Sequence, residues 1–391
     1  MERTKQSLNL ITLESVITYV LICMPIMVPF YRSIGMDQGQ IGLSQAVFTA
    51  VVLVLNVPGG WLADRFSRKM ANVVGDFGAM LALLFYATAH NFAGVVMAEV
   101  MFGLAVSFSN GVDSSMIKSY SDKLDSTGQL FRSRMVKMAT WQFIAQVVGL
   151  AIGGLIGSFN FRLVIALSAL PYLIGAVLSL FLADDGHRLV QKHKNPLKDM
   201  WHKARTNLQD NPYLRWWIAA QIIGTQITRV IVWAFTPLML VAGVPLAVVA
   251  AGWIIYTLTS VAGAKLAGLM AQKLKDWQKF ALPMLLVITS MLVMGVHLSL
   301  LTIWLYGVVG LVYGWMKATL SPIMQHHIKD DNTQTTMLSV VGSLGQLVYI
   351  PAVWLVNLAG NVDIRLTLIT SIVLLAPPAV VTMFKLRSLE K

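Results

Sequence analysis

The chain has 391 residues, 56% of them hydrophobic and only 12% charged, with a mean hydropathy of +0.68. Soluble domains carry roughly 25% charged residues, so this composition excludes an ordinary soluble domain and points to the bilayer as solvent. The net charge of +12 is not gathered on a basic soluble domain, which excludes a nucleic-acid partner, and the single cysteine, Cys23, excludes an internal disulfide and a multi-cysteine metal site.

At about 20 apolar residues per crossing, the chain predicts twelve spans, near 8–31, 39–62, 70–89, 92–117, 134–157, 161–183, 213–240, 246–271, 279–298, 302–325, 333–358 and 363–384. They must be helices, because lipid satisfies no free backbone group. The fold class is therefore an all-α polytopic membrane protein. The polar stretch Met1–Ser7 precedes a first span without a small-residue cleavage site, which reads as a retained helix. The expected organisation is an N-terminal six-helix bundle over 1–183, a cytoplasmic linker over 184–212 and a C-terminal six-helix bundle over 213–391. The linker carries Arg188, Lys192, Lys194, Lys198, Lys203 and Arg205. Its Leu197, Met200, Trp201 and Leu208 sit near helical spacing, so it is either an amphipathic surface helix or a solvated connector.

With both termini cytoplasmic, the cytoplasmic segments and the cytoplasmic ends of the spans hold 24 of the 30 Lys and Arg residues; Arg32, Arg162 and Arg365 lie at the outer side, and Arg229, Lys265 and Lys317 fall deeper within spans. This satisfies the positive-inside rule; compact loops and the absence of a cleavable leader lead to the expectation of a multi-pass protein of a bacterial inner membrane. The two halves also repeat. Sliding the chain by 208 positions superimposes Pro29 on Pro237, Gly35 on Gly243 and Gly60 on Gly268, and sets six spans against six.

Between the second and third spans the chain reads Gly59-Gly60-Trp61-Leu62-Ala63-Asp64-Arg65-Phe66-Ser67-Arg68-Lys69, with a weaker echo at Gly268–Lys273. The turn resembles the signature of the major facilitator superfamily of secondary transporters: Gly60, Leu62, Asp64, Arg65, Arg68 and Lys69 match, and Ser67 replaces a glycine. The resemblance extends to Pro29-Phe30-Tyr31 through Gln40-Ile41-Gly42, Asn160-Phe161-Arg162 and Thr336-Met337-Leu338-Ser339. It implies two six-helix bundles rocking about a central cavity. Physically, the turn pairs charges with helix ends. Gly60, Asp64, Arg65, Arg68 and Lys69, with Asp76 and Lys265, are thus candidates for a cytoplasmic gate. In the fifth span Ala145, Gly149, Gly153 and Gly157 form a small-residue seam. It resembles the family's antiporter motif, although Gly154 stands in place of a proline and Ser158 in place of a glycine.

Ionisable groups at membrane depth mark a pathway. Glu14, Glu99 and Asp113 fall on spans one and four, and Arg229 and Lys317 on spans seven and ten, which line the cavity in the family. Reversible protonation is the expected chemistry of the carboxyls, with Glu14 and Asp113 as the preferred pair and Glu99 as an alternative relay; a structural role stays open for each. Arg229, with Trp233 one turn away, is the leading substrate contact, an anion site or one member of an ion pair. Lys317 joins it, and Tyr19, Asn110, Gln142, Gln146, Tyr256, Tyr313, Gln346 and Tyr349 are candidate uncharged lining.

Two transport readings follow: proton-coupled export of a small amphipathic solute by antiport is the leading one, and proton-coupled uptake of a zwitterionic or anionic metabolite is the alternative. The expected partners are a small-molecule substrate, protons and membrane lipids, the protein acting as a monomer without cofactor or metal. A lipid-modifying enzyme built on His326 and His327 is a remote third reading. Adjacent helical histidines diverge, and the chain has no nucleophile elbow or phosphate loop.

Overall fold

The computed structural model describes residues 2–65, 67–157, 159–183, 211–270, 272–326 and 331–390, with side chains left aside at 56–65, 325–326 and 331–339. The described residues are helical throughout and contain no strand. Eleven of their helical segments are long and apolar enough to cross a membrane. Each matches one of the expected spans from the second to the twelfth.

The first expected span is not one helix. It divides into α1 (Glu2–Ile17), a 3₁₀ turn (Met24–Ile26) and α2 (Met27–Ser33). Pro25 lies in the turn and Pro29 in α2, so two ring nitrogens lack the N–H that a continuous helix uses. The freed groups close locally, Val20 N–H on the Ile17 carbonyl at 3.0 Å and Ile26 N–H on the Cys23 carbonyl at 3.0 Å. A broken helix at membrane depth needs a protein neighbour, and the small-residue seam provides it. A Cβ at Gly149 would meet the Leu21 nitrogen, and one at Gly153 would overlap the Ile22 carbonyl.

The chain clusters into two compact units, 1–36 with 47–192 and 37–46 with 193–391. The first contains α1, α2, most of α3 (Gln38–Arg65), α4 (Arg68–Thr88), α5 (Phe92–Ser109), α6 (Val112–Leu124), α7 (Gln129–Gly157), α8 (Phe161–Leu167) and α9 (Ala169–Leu180). Its core includes Leu8 and Ile11 of α1, Val112, Met116, Ile117 and Tyr120 of α6, and Met138 of α7. At one edge the Tyr120 hydroxyl donates to the Ala183 carbonyl, and Ala183 N–H donates to Ser7 Oγ at 2.9 Å.

The second unit contains α10 (Pro212–Arg229), α11 (Val232–Val241), α12 (Leu246–Met270), α13 (Asp276–Val296), α14 (Tyr306–His326), α15 (Asp331–Ala359) and α16 (Leu366–Leu389). The helices α12 and α14 pack backbone to backbone: a Cβ at Gly263 would strike the Leu311 carbonyl, and one at Gly314 the Ser260 carbonyl. Also in this unit, Gln38 at the start of α3 donates Nε2 to Asn357 Oδ1 at 2.7 Å and to the Trp233 carbonyl at 3.0 Å.

The internal repeat is visible in backbone geometry. Gly35 and Gly243 both take left-handed φ angles, +84° and +91°, and both close a helix in the way this conformation allows glycine to do. Met36 N–H bonds to the Tyr31 carbonyl at 3.0 Å, and Val244 N–H bonds to the Met239 carbonyl at 2.9 Å, each atom displaced by 208 residues. The next helices start at Gln38 and Leu246, again 208 apart.

Candidate functional site

In the first unit, Glu14 on α1, Asp76 on α4 and Asp113 on α6 lie within electrostatic reach of one another. Glu14 is 1% exposed and Asp76 4%. Helical spacing places Asn72 one turn before Asp76, and Asn72 is also buried. Ser15 Oγ donates to Asp113 Oδ2 at 2.5 Å, while Gln142 Nε2 on α7 donates to the Ser15 carbonyl at 3.1 Å. On the far side Asn72 Nδ2 donates to Ser179 Oγ at 3.1 Å, and Gly175 leaves room for Asp76 Oδ2, which a Cβ there would approach to 2.6 Å.

The donors run out before the acceptors do. Glu14 Oε2, Asp76 Oδ2, Asp113 Oδ1 and Asn72 Oδ1 are all buried without a hydrogen-bond partner among the described residues. Ionised carboxylates only accept, but a protonated one donates, so a proton in this cluster turns two facing acceptors into a hydrogen bond. Val112 and Met116 flank Asp113 and Ile11 lies a turn from Glu14, all buried. These apolar neighbours limit the access of water.

Glu99 occupies a different place. It is buried on α5 and accepts from the Tyr31 hydroxyl at 3.4 Å, with the Tyr86 hydroxyl 3.5 Å from that of Tyr31. Tyr19 and Asn110 are exposed and Gln146 is half-buried.

The second unit holds a cavity of about 430 Å³ between α10, α14 and α15. Arg229, Tyr313, Lys317 and Gln346, four residues singled out in the sequence, share its wall with Gln221, Thr225, Gln226 and Ser321. The Arg229 guanidinium lies 4.0 Å over the ring of Tyr349, a residue buried on α15. Tyr313 stacks on Tyr256 at 6.1 Å, and Tyr256 continues to Tyr306 at 5.4 Å. The helix carrying Arg229 ends there and the next resumes at Val232, so Trp233, expected one turn from Arg229, stands on the following helical segment. The described ring over the guanidinium is that of Tyr349.

Sequence reasoning missed Gln221, Thr225, Gln226, Ser321 and Asn72. A signal was available: 221, 225 and 229 recur at four-residue spacing, as do 313, 317 and 321, each a polar stripe on an apolar helix. Of the signature turn, Arg68 and Lys69 open α4 behind Ser67, whose side chain accepts from Met70 N–H at 3.3 Å. The side chains of Asp64 and Arg65 and the surroundings of Gly60 lie outside the described residues, as do 184–210 of the expected linker and His327. Lys265 is exposed on α12. Among the described residues no cluster of three or more His, Cys, Asp or Glu side chains is arranged to hold a metal ion.

Eleven helices long and apolar enough to cross a membrane, with a polar cavity lined by Arg229 and Lys317, fit a multi-pass membrane transporter of small solutes. The chain belongs to the Major Facilitator Superfamily, whose model matches residues 15–353, as the signature turn implied. No curated protein matches the sequence. Among solved structures it is similar to the nucleoside transporter NupG, at 12% identity and a TM-score of 0.76 over 100% of both chains. A bacterial homologue of the human lysosomal transporter Spinster, inward-facing and unoccupied, gives 12% identity and a TM-score of 0.75 over 98% of this chain and 97% of that one. A D-xylose-proton symporter gives 11% and 0.72 over 97% of each. At these identities the likeness shows the fold alone.

Proposed function

We propose that the protein is a proton-coupled secondary active transporter that moves a small organic solute by alternating access. The observation that carries this reading is the set of orphaned oxygens on Glu14, Asp76 and Asp113. Three carboxyls short of donors at membrane depth form a store for exchangeable protons. The first unit holds the coupling protons and the second holds the solute, in the cavity of Arg229 and Lys317. Glu99, hydrogen-bonded to Tyr31, is a secondary relay. The signature turn, Gly60, Asp64, Arg65, Arg68 and Lys69, serves as a cytoplasmic gate of the first unit, and Lys265 is the gate candidate of the second. Both termini face the cytoplasm of a bacterial cell, following the distribution of Lys and Arg, and the monomer needs no cofactor.

Export of an amphipathic solute against protons and uptake of an anionic or zwitterionic solute with protons differ in the sign of coupling. Two cations without a carboxylate partner among the described residues favour the second. Everted vesicles under an imposed pH gradient distinguish them. Co-directional movement of solute and protons is the expected result; solute entry against proton exit establishes antiport, and solute flux indifferent to the gradient overturns proton coupling.

A further inference from the structure

We infer that the cavity of the second unit recognises a hydroxylated organic acid: an anion that also offers O–H or N–H donors. This deepens the proposed transport role and rests on it for the identification of the cavity as the solute site.

The charge requirement comes from Arg229 and Lys317. Both line the cavity, and neither has an acceptor or ion-pair partner among the described residues. No described residue lining the cavity is acidic. Arginine stays charged in a protein, and Tyr349 holds this guanidinium by one face, so its in-plane N–H groups remain to receive a carboxylate.

The donor requirement comes from the glutamines. Among the described residues Gln221 Oε1 and Gln226 Oε1 are buried without a hydrogen-bond partner, and Gln226 is 5% exposed. A buried acceptor left unmatched costs free energy until a donor arrives. A simple fatty acid would neutralise the cations and leave both amide oxygens orphaned; a polyol would satisfy the amides and leave the cations unpaired. Only a solute carrying both kinds of group meets both demands. A cationic solute is repelled by Arg229 and Lys317.

A matched six-carbon series separates these terms with the purified full-length protein: gluconate (acid with hydroxyls), hexanoate (acid alone), glucitol (hydroxyls alone) and glucamine (hydroxyls with a cation). Binding is read by thermal unfolding, because a native-state ligand raises the midpoint. The expected order of protection is gluconate, then hexanoate, then glucitol, with none from glucamine. Lys317→Gln should weaken gluconate binding at least tenfold, and Arg229→Gln likewise if it folds. Gln226→Leu should erase the advantage of gluconate over hexanoate while sparing hexanoate. Protection by glucamine, equal protection by glucitol and gluconate, or no protection by any member overturns the inference. Binding requires no gradient, so this result is independent of proton coupling: an acid that binds but crosses without protons removes only the coupling, and proton-driven flux of a polyol removes only the inference.

Discussion

Arg229 rests on the face of Tyr349, with 4.0 Å between guanidinium carbon and ring centroid. The two residues come from α10 and α15, so the stack fixes a charge between helices that no nearby carboxylate neutralises among the described residues. A desolvated pair of this kind contributes about 2 kcal/mol, and because it is formed before the solute arrives it acts on affinity only by holding the guanidinium in place. Tyr349→Leu should therefore weaken gluconate binding, by at most roughly thirtyfold, whereas Tyr349→Phe, which keeps the ring, should bind nearly as wild type. Titration calorimetry of the two variants checks this.

The α12–α14 interface makes a prediction about stability. Gly314 faces the Ser260 carbonyl so closely that no Cβ fits, whereas Gly268, on the same α12 helix as Ser260, has no atom of the described residues within 4 Å of its Cβ position apart from its own helix backbone and chain neighbours. Gly314→Ala should cost about 1–3 kcal/mol through overpacking. Gly268→Ala should be neutral or stabilising by up to about 1 kcal/mol, because alanine favours a helix. The melting temperatures of the two variants in detergent check the contrast.

The contrast also shows what the sequence could convey. Apolar length located eleven crossings, because hydropathy integrates over some twenty residues and forgives local irregularity. The break within the first crossing was not legible by the same token: its apolar content is continuous while Pro25 and Pro29 interrupt its hydrogen bonds, and whether a proline kinks or breaks a helix depends on its neighbour, here the Gly149–Gly153 face of α7. The cavity residues Arg229, Lys317, Tyr313 and Gln346 were legible one by one as costly polar groups in apolar helices. Their common wall was not, because azimuth about a helix follows from packing. Asp76 illustrates the limit. Proximity to the signature turn assigned it to a gate, whereas its fold neighbours are Glu14 and Asp113.

Asp76 should accordingly behave as a coupling residue. Asp76→Asn should reduce solute accumulation driven by a pH gradient while leaving solute exchange intact. A gate residue such as Lys69 should instead alter exchange itself when neutralised. Parallel assays of accumulation and counterflow on the two variants separate the roles.

Outside the membrane, Asp125 links α6 to α7. The Thr127 hydroxyl first, and then the Leu130 N–H, hold its carboxyl below the usual carboxylate range. A depressed native value stabilises above the unfolded pKa of about 3.9 and is lost as pH falls through the native value. Because Asp125 is exposed, the effect is local. Protection of the Leu130 amide, corrected for intrinsic exchange, should hold at neutral pH and fall below about pH 4. Asp125→Asn should remove that dependence.

The central claim is that carboxyls of the first unit carry the coupling proton for a solute held in the second. It is tested most directly in proteoliposomes bearing wild type or the double variant Glu14→Gln, Asp113→Asn, with accumulation under an imposed pH gradient measured beside gradient-free exchange. The account predicts that the double variant exchanges solute but loses gradient-driven accumulation by at least an order of magnitude. Undiminished accumulation by a variant lacking both carboxyls would contradict it.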